Sequence, residues 1–411
     1  MTHVDTSVGL GPTSRPVVYD VGHRALLAYL AITSCVIGGL CAVAIGMWLG
    51  PIASELGWSN ARASSIATAF LLALLVSAPL AGAGVDKLGA RSVMMAGIVT
   101  AAAGFAMVAM AHATFAVIAA FILVGIGNTA AFYVPTSVVV SNVMGDRRSF
   151  GTGIIWAAMS IGAALFSVAI GWGIDAFGWR ITAWSAAALA AIVLPLPYLA
   201  LPRRLQEAGK PVAERTSLAL FSSRTFVVGT TASAAFGIGM MGIYYHVVSI
   251  LIAAGYSARG AGMVFGASWL FSAAGSVVLG ALAVRMGALR VLAFSILLCA
   301  CGTLLLLGVG HATLGVASVA GFLILWGSTA NCLVQFVPVI FAERFGPTHL
   351  GAMVGVQSTI VGVIGAGAPI LTGYLYDQTA NYRLSVLLCA AMMLLGFALL
   401  PLISNLGEKF K

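Results

Sequence analysis

The chain has 411 residues, of which 61% are hydrophobic and only 8% charged, and its mean hydropathy is +1.07. A soluble globular domain carries about a quarter charged residues, so this composition excludes one. The net charge of +9 invites a nucleic-acid partner, but the placement of the cations along the chain argues against that.

Apolar runs of spanning length, roughly 20 residues each, recur from end to end. They lie near 25–52, 61–85, 92–111, 114–143, 150–173, 181–201, 225–253, 260–284, 290–310, 312–341, 351–374 and 384–405. In hydrocarbon every backbone N–H and C=O must be paired within the protein, so runs of this length are helices. The expected fold is an all-α membrane protein of twelve transmembrane helices. Residues 1–24 are polar and the first apolar run is too long for a leader's apolar core, so no cleavable signal peptide is expected. The six cysteines, at 35, 41, 299, 301, 332 and 389, all fall in spans without metal-ligand spacing and read as small packing residues.

With the N-terminus in the cytoplasm, sixteen of the 20 Lys and Arg fall on the cytoplasmic side, among them Arg15, Arg24, Lys87, Arg147, Arg203, Arg204 and Lys409. Only Arg62, Arg180, Arg259 and Arg383 fall on the other. This positive-inside asymmetry predicts both termini in the cytoplasm, with a bacterial inner membrane as the expected home. The basic balance is a topology signal, and the partner it implies is the lipid bilayer.

Two halves meet at the polar segment "LPRRLQEAGKPVAERTSLALFSSRTF", 201–226. "GWSNARA" at 57–63 is answered by "GYSARGA" at 255–261, and "GAGVDKLGAR" at 82–91 by "GALAVRMGALR" at 280–290. "FYVP" at 132–135 matches "QFVP" at 335–338, and "GWGID" at 171–175 matches "GYLYD" at 373–377. Four matches in the same order indicate an internal duplication. The expected organisation is a tail to residue 24, a six-helix bundle over 25–201, a cytoplasmic linker over 202–224, a second six-helix bundle over 225–405 and a tail over 406–411.

Parallel six-helix halves joined by a cytoplasmic linker resemble the major facilitator superfamily. The most specific element is Gly82-x-x-x-Asp86-Lys87-x-Gly89-Ala90-Arg91, which is similar to that superfamily's loop motif between the second and third helices. The resemblance implies a gating role for Asp86, Lys87 and Arg91, with Arg285 in a second copy that has Val284 where the acid would stand. "GMWLGPIASELGWSNARAS" and "GYLYDQTANY" resemble bacterial relatives of the monocarboxylate transporters. The same resemblance implies that the first, fourth, seventh and tenth helices line a central cavity.

Every Lys, Arg, Asp and Glu lies in a loop or near a helix end, and His246 is the one imidazole well inside a span. An intramembrane ionisable group is costly, so it is a functional candidate by default. His246 either faces the cavity and carries protons or packs at the boundary beside Tyr244 and Tyr245. Further substrate candidates are Asn128 and Tyr133 on the fourth span, Asn331 and Gln335 on the tenth, and Trp48 on the first, at the repeat position of His246. The amides could serve substrate or tie helices together. Monocarboxylate transporters typically place an Arg and, in proton-coupled animal members, an Asp where this chain has Ser276 and Ser272. A guanidinium to grip a carboxylate is therefore missing, and the aromatic-rich, charge-poor spans also suit a neutral or planar solute.

The expected function is secondary active transport of a small organic solute, read as uptake of a monocarboxylate-like compound by proton symport. Uptake of a neutral or aromatic metabolite such as a vitamin, facilitated diffusion, and export are the alternatives. No phosphate-binding loop, metal cluster or nucleophile elbow occurs, so neither an enzyme nor a cofactor is expected. The expected partners are a small-molecule substrate, the bilayer and protons, around a monomer.

Overall fold

The computed structural model describes residues 23–144, 148–201, 218–345 and 350–404. The tail through residue 22, residues 202–217 of the linker, residues 405–411, and the cations Arg15, Arg147, Arg203, Arg204 and Lys409 lie outside them. Among the described residues, twelve helices are long and apolar enough to cross a membrane. They are α1 (Ala25–Leu56), α2 (Asn60–Leu88), α3 (Ala90–Met110), α4 (Thr114–Val140), α5 (Gly151–Phe177) and α6 (Trp179–Ala200), then α7 (Arg224–Ala253), α8 (Ala258–Met286), α9 (Ala288–Gly308), α10 (Gly315–Phe345), α11 (Met353–Thr379) and α12 (Arg383–Ile403). Some helices outlast their apolar runs by a polar last turn: α11 continues past residue 374 to Thr379.

The first six helices form one bundle and the last six another. Small residues let the backbones meet where a membrane supplies no hydrophobic drive. A side chain at Gly162 of α5 would run into the carbonyl of Cys35 on α1, and one at Gly239 of α7 into that of Cys389 on α12. Within the first bundle Glu55 ties three helices at one end. Its carboxylate accepts from Arg180 at 2.7 Å and from the Trp179 indole at 2.6 Å, and Arg180 also donates to the carbonyls of Ala109 and Ala111.

Both α2–α3 and α8–α9 turn on a glycine in the left-handed region, Gly89 (φ 84°) and Gly287 (φ 87°), where a Cβ is disfavoured. The duplicated loop motif is therefore a duplicated backbone geometry. Several of the described helices are interrupted. Single π-turns occupy Ser34–Gly38 of α1, Thr129–Tyr133 of α4 and Leu323–Gly327 of α10, and α11 breaks at 366–367, just before Pro369. Such interruptions cluster at functional sites.

The halves touch in the part of the bundle away from the termini. There α5 lies against α8, α2 against α11, and α1 against α7. Thr68 of α2 donates across to the carbonyl of Ala366, at the break in α11, at 2.5 Å. The Tyr244 hydroxyl of α7 donates to the carbonyl of Ala42 on α1. The deepest of these contacts sets Leu75 of α2 against Gly362 of α11.

Candidate functional site

The contact zone is built from the repeat. Ser59 and Ser257 cap the amino ends of α2 and α8, accepting from the N–H of Arg62 at 3.2 Å and of Gly260 at 3.1 Å. A carboxylate from the opposite half completes each cap. Asp377, near the end of α11, accepts from the N–H groups of Asn60 and Ala61, both at 2.8 Å. Asp175, near the end of α5, accepts from the N–H of Arg259 at 2.9 Å. An anion at a helix amino end meets unpaired N–H donors and the positive end of the helix dipole. Four of the eight segments that announced the duplication thus form two crosswise locks.

His246 lies directly beneath one of them. It is fully buried, and its Nε2 is 3.0 Å from the Oγ of Ser64 on α2 and 3.0 Å from the carbonyl of Pro369 on α11. A carbonyl can only accept, and the Ser64 hydroxyl spends its own hydrogen on the carbonyl of Asn60 at 2.6 Å. Nε2 is therefore the protonated nitrogen, shared between two acceptors, one from each half. Nδ1 is buried with no partner among the described residues. An imidazolium would bring a second N–H that finds no acceptor among the described residues, so the arrangement favours the neutral ring. The groups nearest to it that could change charge are Asp377 on α11 and Tyr382, whose ring lies 5.7 Å away.

His246 thus sits in the seam between halves, and the glycines on its face are packing surfaces: Gly242 fits against Thr372 and Cys389. Beside it Tyr244 meets Tyr245 edge-on at 4.8 Å and Trp269 at 6.0 Å. Tyr245 is buried, and the Trp269 indole N–H has no partner among the described residues. The first half contributes a second aromatic cluster. Tyr133, 41% exposed, stands edge-on to Phe132 and to Trp156, at 5.9 Å from the latter. Immediately before the π-turn of α4, the side-chain amide oxygen of Asn128 is buried with no partner among the described residues.

Two other candidate groups are engaged within a single half. The Trp48 indole donates to Thr182 of α6 at 2.9 Å between the rings of Phe105 and Phe121, inside the first bundle. Asn331 and Gln335 are engaged within their own half, donating to the Ser272 hydroxyl at 2.8 Å and the Ser276 carbonyl at 2.7 Å. They tie α10 to α8. At the termini end, Asp86, Lys87 and Arg285 are exposed, and the Arg91 guanidinium lies 3.8 Å over the Tyr198 ring. Ser64, Pro369, Asp175 and Asp377 went unread in the sequence as site residues. For Asp175 and Asp377 the one signal was the crosswise repeat; Ser64 and Pro369 lie outside the repeated segments.

A model of the Major Facilitator Superfamily matches residues 29–362 and 255–408. The chain belongs to this superfamily. Among curated proteins, the transporter is 26% identical over 366 residues to mouse monocarboxylate transporter 11, covering 84% of this chain and 77% of that one. It is 27% identical over 350 residues to rat monocarboxylate transporter 13, covering 83% and 79%. Among solved structures it resembles the nucleoside transporter NupG, with a TM-score of 0.77 at 14% identity over 93% of this chain and 98% of that one. A bacterial homologue of the human lysosomal transporter Spinster superposes with a TM-score of 0.75, again at 14% identity, covering 94% and 97%. This transporter is a multi-pass membrane protein that moves small solutes.

Proposed function

We propose that the transporter imports a monocarboxylate-like solute together with a proton across the bacterial cytoplasmic membrane. In this reading the end bearing both termini faces the cytoplasm, and the state described is closed on the outside. The observation that carries the proposal is His246, held neutral between Ser64 and Pro369 at the seam of a closed outer gate. Opening the gate removes both acceptors and admits water, which solvates an imidazolium; closing it takes that solvation away and favours release of the proton. A carboxylate that travels with a proton crosses as a neutral pair, which suits spans whose Lys and Arg all lie near their ends. The similarity to monocarboxylate transporters supports the substrate class.

The engagement of Ser272 and Ser276 with α10, at positions where those transporters carry charged groups, favours a second reading: a neutral, planar solute held between the two aromatic clusters. Proteoliposomes decide between them. With the interior at pH 7.5 and the exterior acidified, labelled lactate, pyruvate or benzoate accumulates above equilibrium if the first reading holds. Accumulation of none of these, with pH-independent entry of nicotinamide, supports the second.

A further inference from the structure

On its lipid-facing side, the junction of α5 and α8 carries a groove of about 570 Å³ whose lining is almost entirely apolar. Ile161, Leu165, Val168 and Trp172 form one wall, and Met263 and Leu270 the other. The floor is the contact between the halves, where a Cβ at Gly266 would stand 2.7 Å from the carbonyl of Ala164. On the opposite face of α8, Phe265 packs inward against Gly46 and Tyr244. The groove therefore opens outward, and Leu165 and Trp172 are 60% and 51% exposed.

Its outer end is not apolar. Arg259 lies four residues before Met263, so the groove face of α8 continues onto it in the helix's first turn. Only its backbone N–H is engaged, by Asp175, and its exposed guanidinium has no partner among the described residues. From Arg259 to Leu270 is roughly 16 Å at 1.5 Å per residue. A cation at the membrane boundary, followed by an apolar trough of that length, matches an amphipathic anion. Trp172, edge-on to Phe177 at 5.4 Å, marks the headgroup level on the other wall.

We propose that this groove is a phospholipid site, with the phosphate on Arg259 and an acyl chain between α5 and α8. Each half supplies one wall, so the site is complete only while these helices touch, and bound lipid favours the state described here. The lipid comes from the leaflet at the end away from the termini.

Native mass spectrometry of the full-length transporter in detergent, titrated with phosphatidylglycerol, tests this. The expected result is one retained lipid, with affinity about tenfold lower for Arg259→Gln and restored in part by Arg259→Lys. Ala267→Trp, which fills the trough, weakens binding as well. Arg62→Gln, at the same end but off the groove, leaves binding unchanged. Diacylglycerol binds poorly, and inorganic phosphate at millimolar concentration does not displace the lipid. Equal binding by wild type, Arg259→Gln and Ala267→Trp would overturn the proposal, as would displacement by phosphate alone.

Discussion

Asp377 closes the amino end of α2 through the N–H of Ala61, 2.8 Å away, although the two residues belong to opposite halves. Asp175 does the same for α8 at the equivalent residue, Arg259. A helix cap contributes about 1 kcal/mol. Losing both interactions in Asp175→Asn/Asp377→Asn should therefore shift the gate roughly 30-fold toward opening. Labelling of a single cysteine introduced beneath the gate, in a background free of the six native ones, should accelerate accordingly. An unchanged rate would show that the caps do not hold the gate.

His246→Gln keeps a hydrogen-bonding side chain of similar size but cannot titrate. The mutant should exchange solute for solute at close to the wild-type rate. It should also lose the rise in uptake that external acid produces between about pH 7.5 and 5.5, since protonation of the imidazole from outside drives the wild type. Uptake that still climbs with acidity would make His246 a packing residue of the seam.

Trp48→Phe removes the hydrogen bond to Thr182 and part of a buried ring. It should cost about 1–3 kcal/mol of stability, read as a lower melting temperature in detergent, with the KM for solute unchanged. A raised KM at wild-type stability would return Trp48 to the substrate path.

Gly239→Val drives a side chain into the carbonyl of Cys389. Overpacking of this kind costs about 1–3 kcal/mol, so the variant should melt earlier and elute partly aggregated on size exclusion.

Asp86→Asn alters an exposed residue at the termini end, remote from the seam. It should slow turnover while leaving solute affinity within about twofold, a change worth only a few tenths of a kcal/mol. Wild-type turnover at all concentrations would remove Asp86 from the gating machinery.

Sequence made the twelve helices and the duplication plain, because hydrocarbon leaves a backbone few choices and repeats preserve turn glycines such as Gly89 and Gly287. The gate was harder to see. "GWSNARA" and "GYLYD" stood out as copies, yet Asp175 and Asp377 read only as markers of helix ends. Their partners are mostly main-chain N–H groups, which every residue but proline carries, with the Asn60 amide adding one side-chain donor to Asp377. The packing of Trp48 was hidden for another reason: α1 is apolar on every side, so nothing in its pattern says which face turns inward. Asn331 and Gln335 were legible as buried amides, but only the fold says that α8 supplies their partners.

The main-chain half of each lock has an evolutionary consequence. Ala61 and Arg259 hold the same place in the duplicated halves and share no side-chain chemistry, yet both offer the hydrogen that an aspartate needs. Position 259 is thus free to acquire any side chain other than proline without loosening the gate, and it carries a cation toward the bilayer. At the Asp175 lock only the acidic partner brings side-chain chemistry to the latch, whereas at the Asp377 lock the Asn60 amide also donates, at 3.1 Å. Covariation between related sequences should therefore miss the coupling of positions 175 and 259, since position 259 has nothing that needs to change in step.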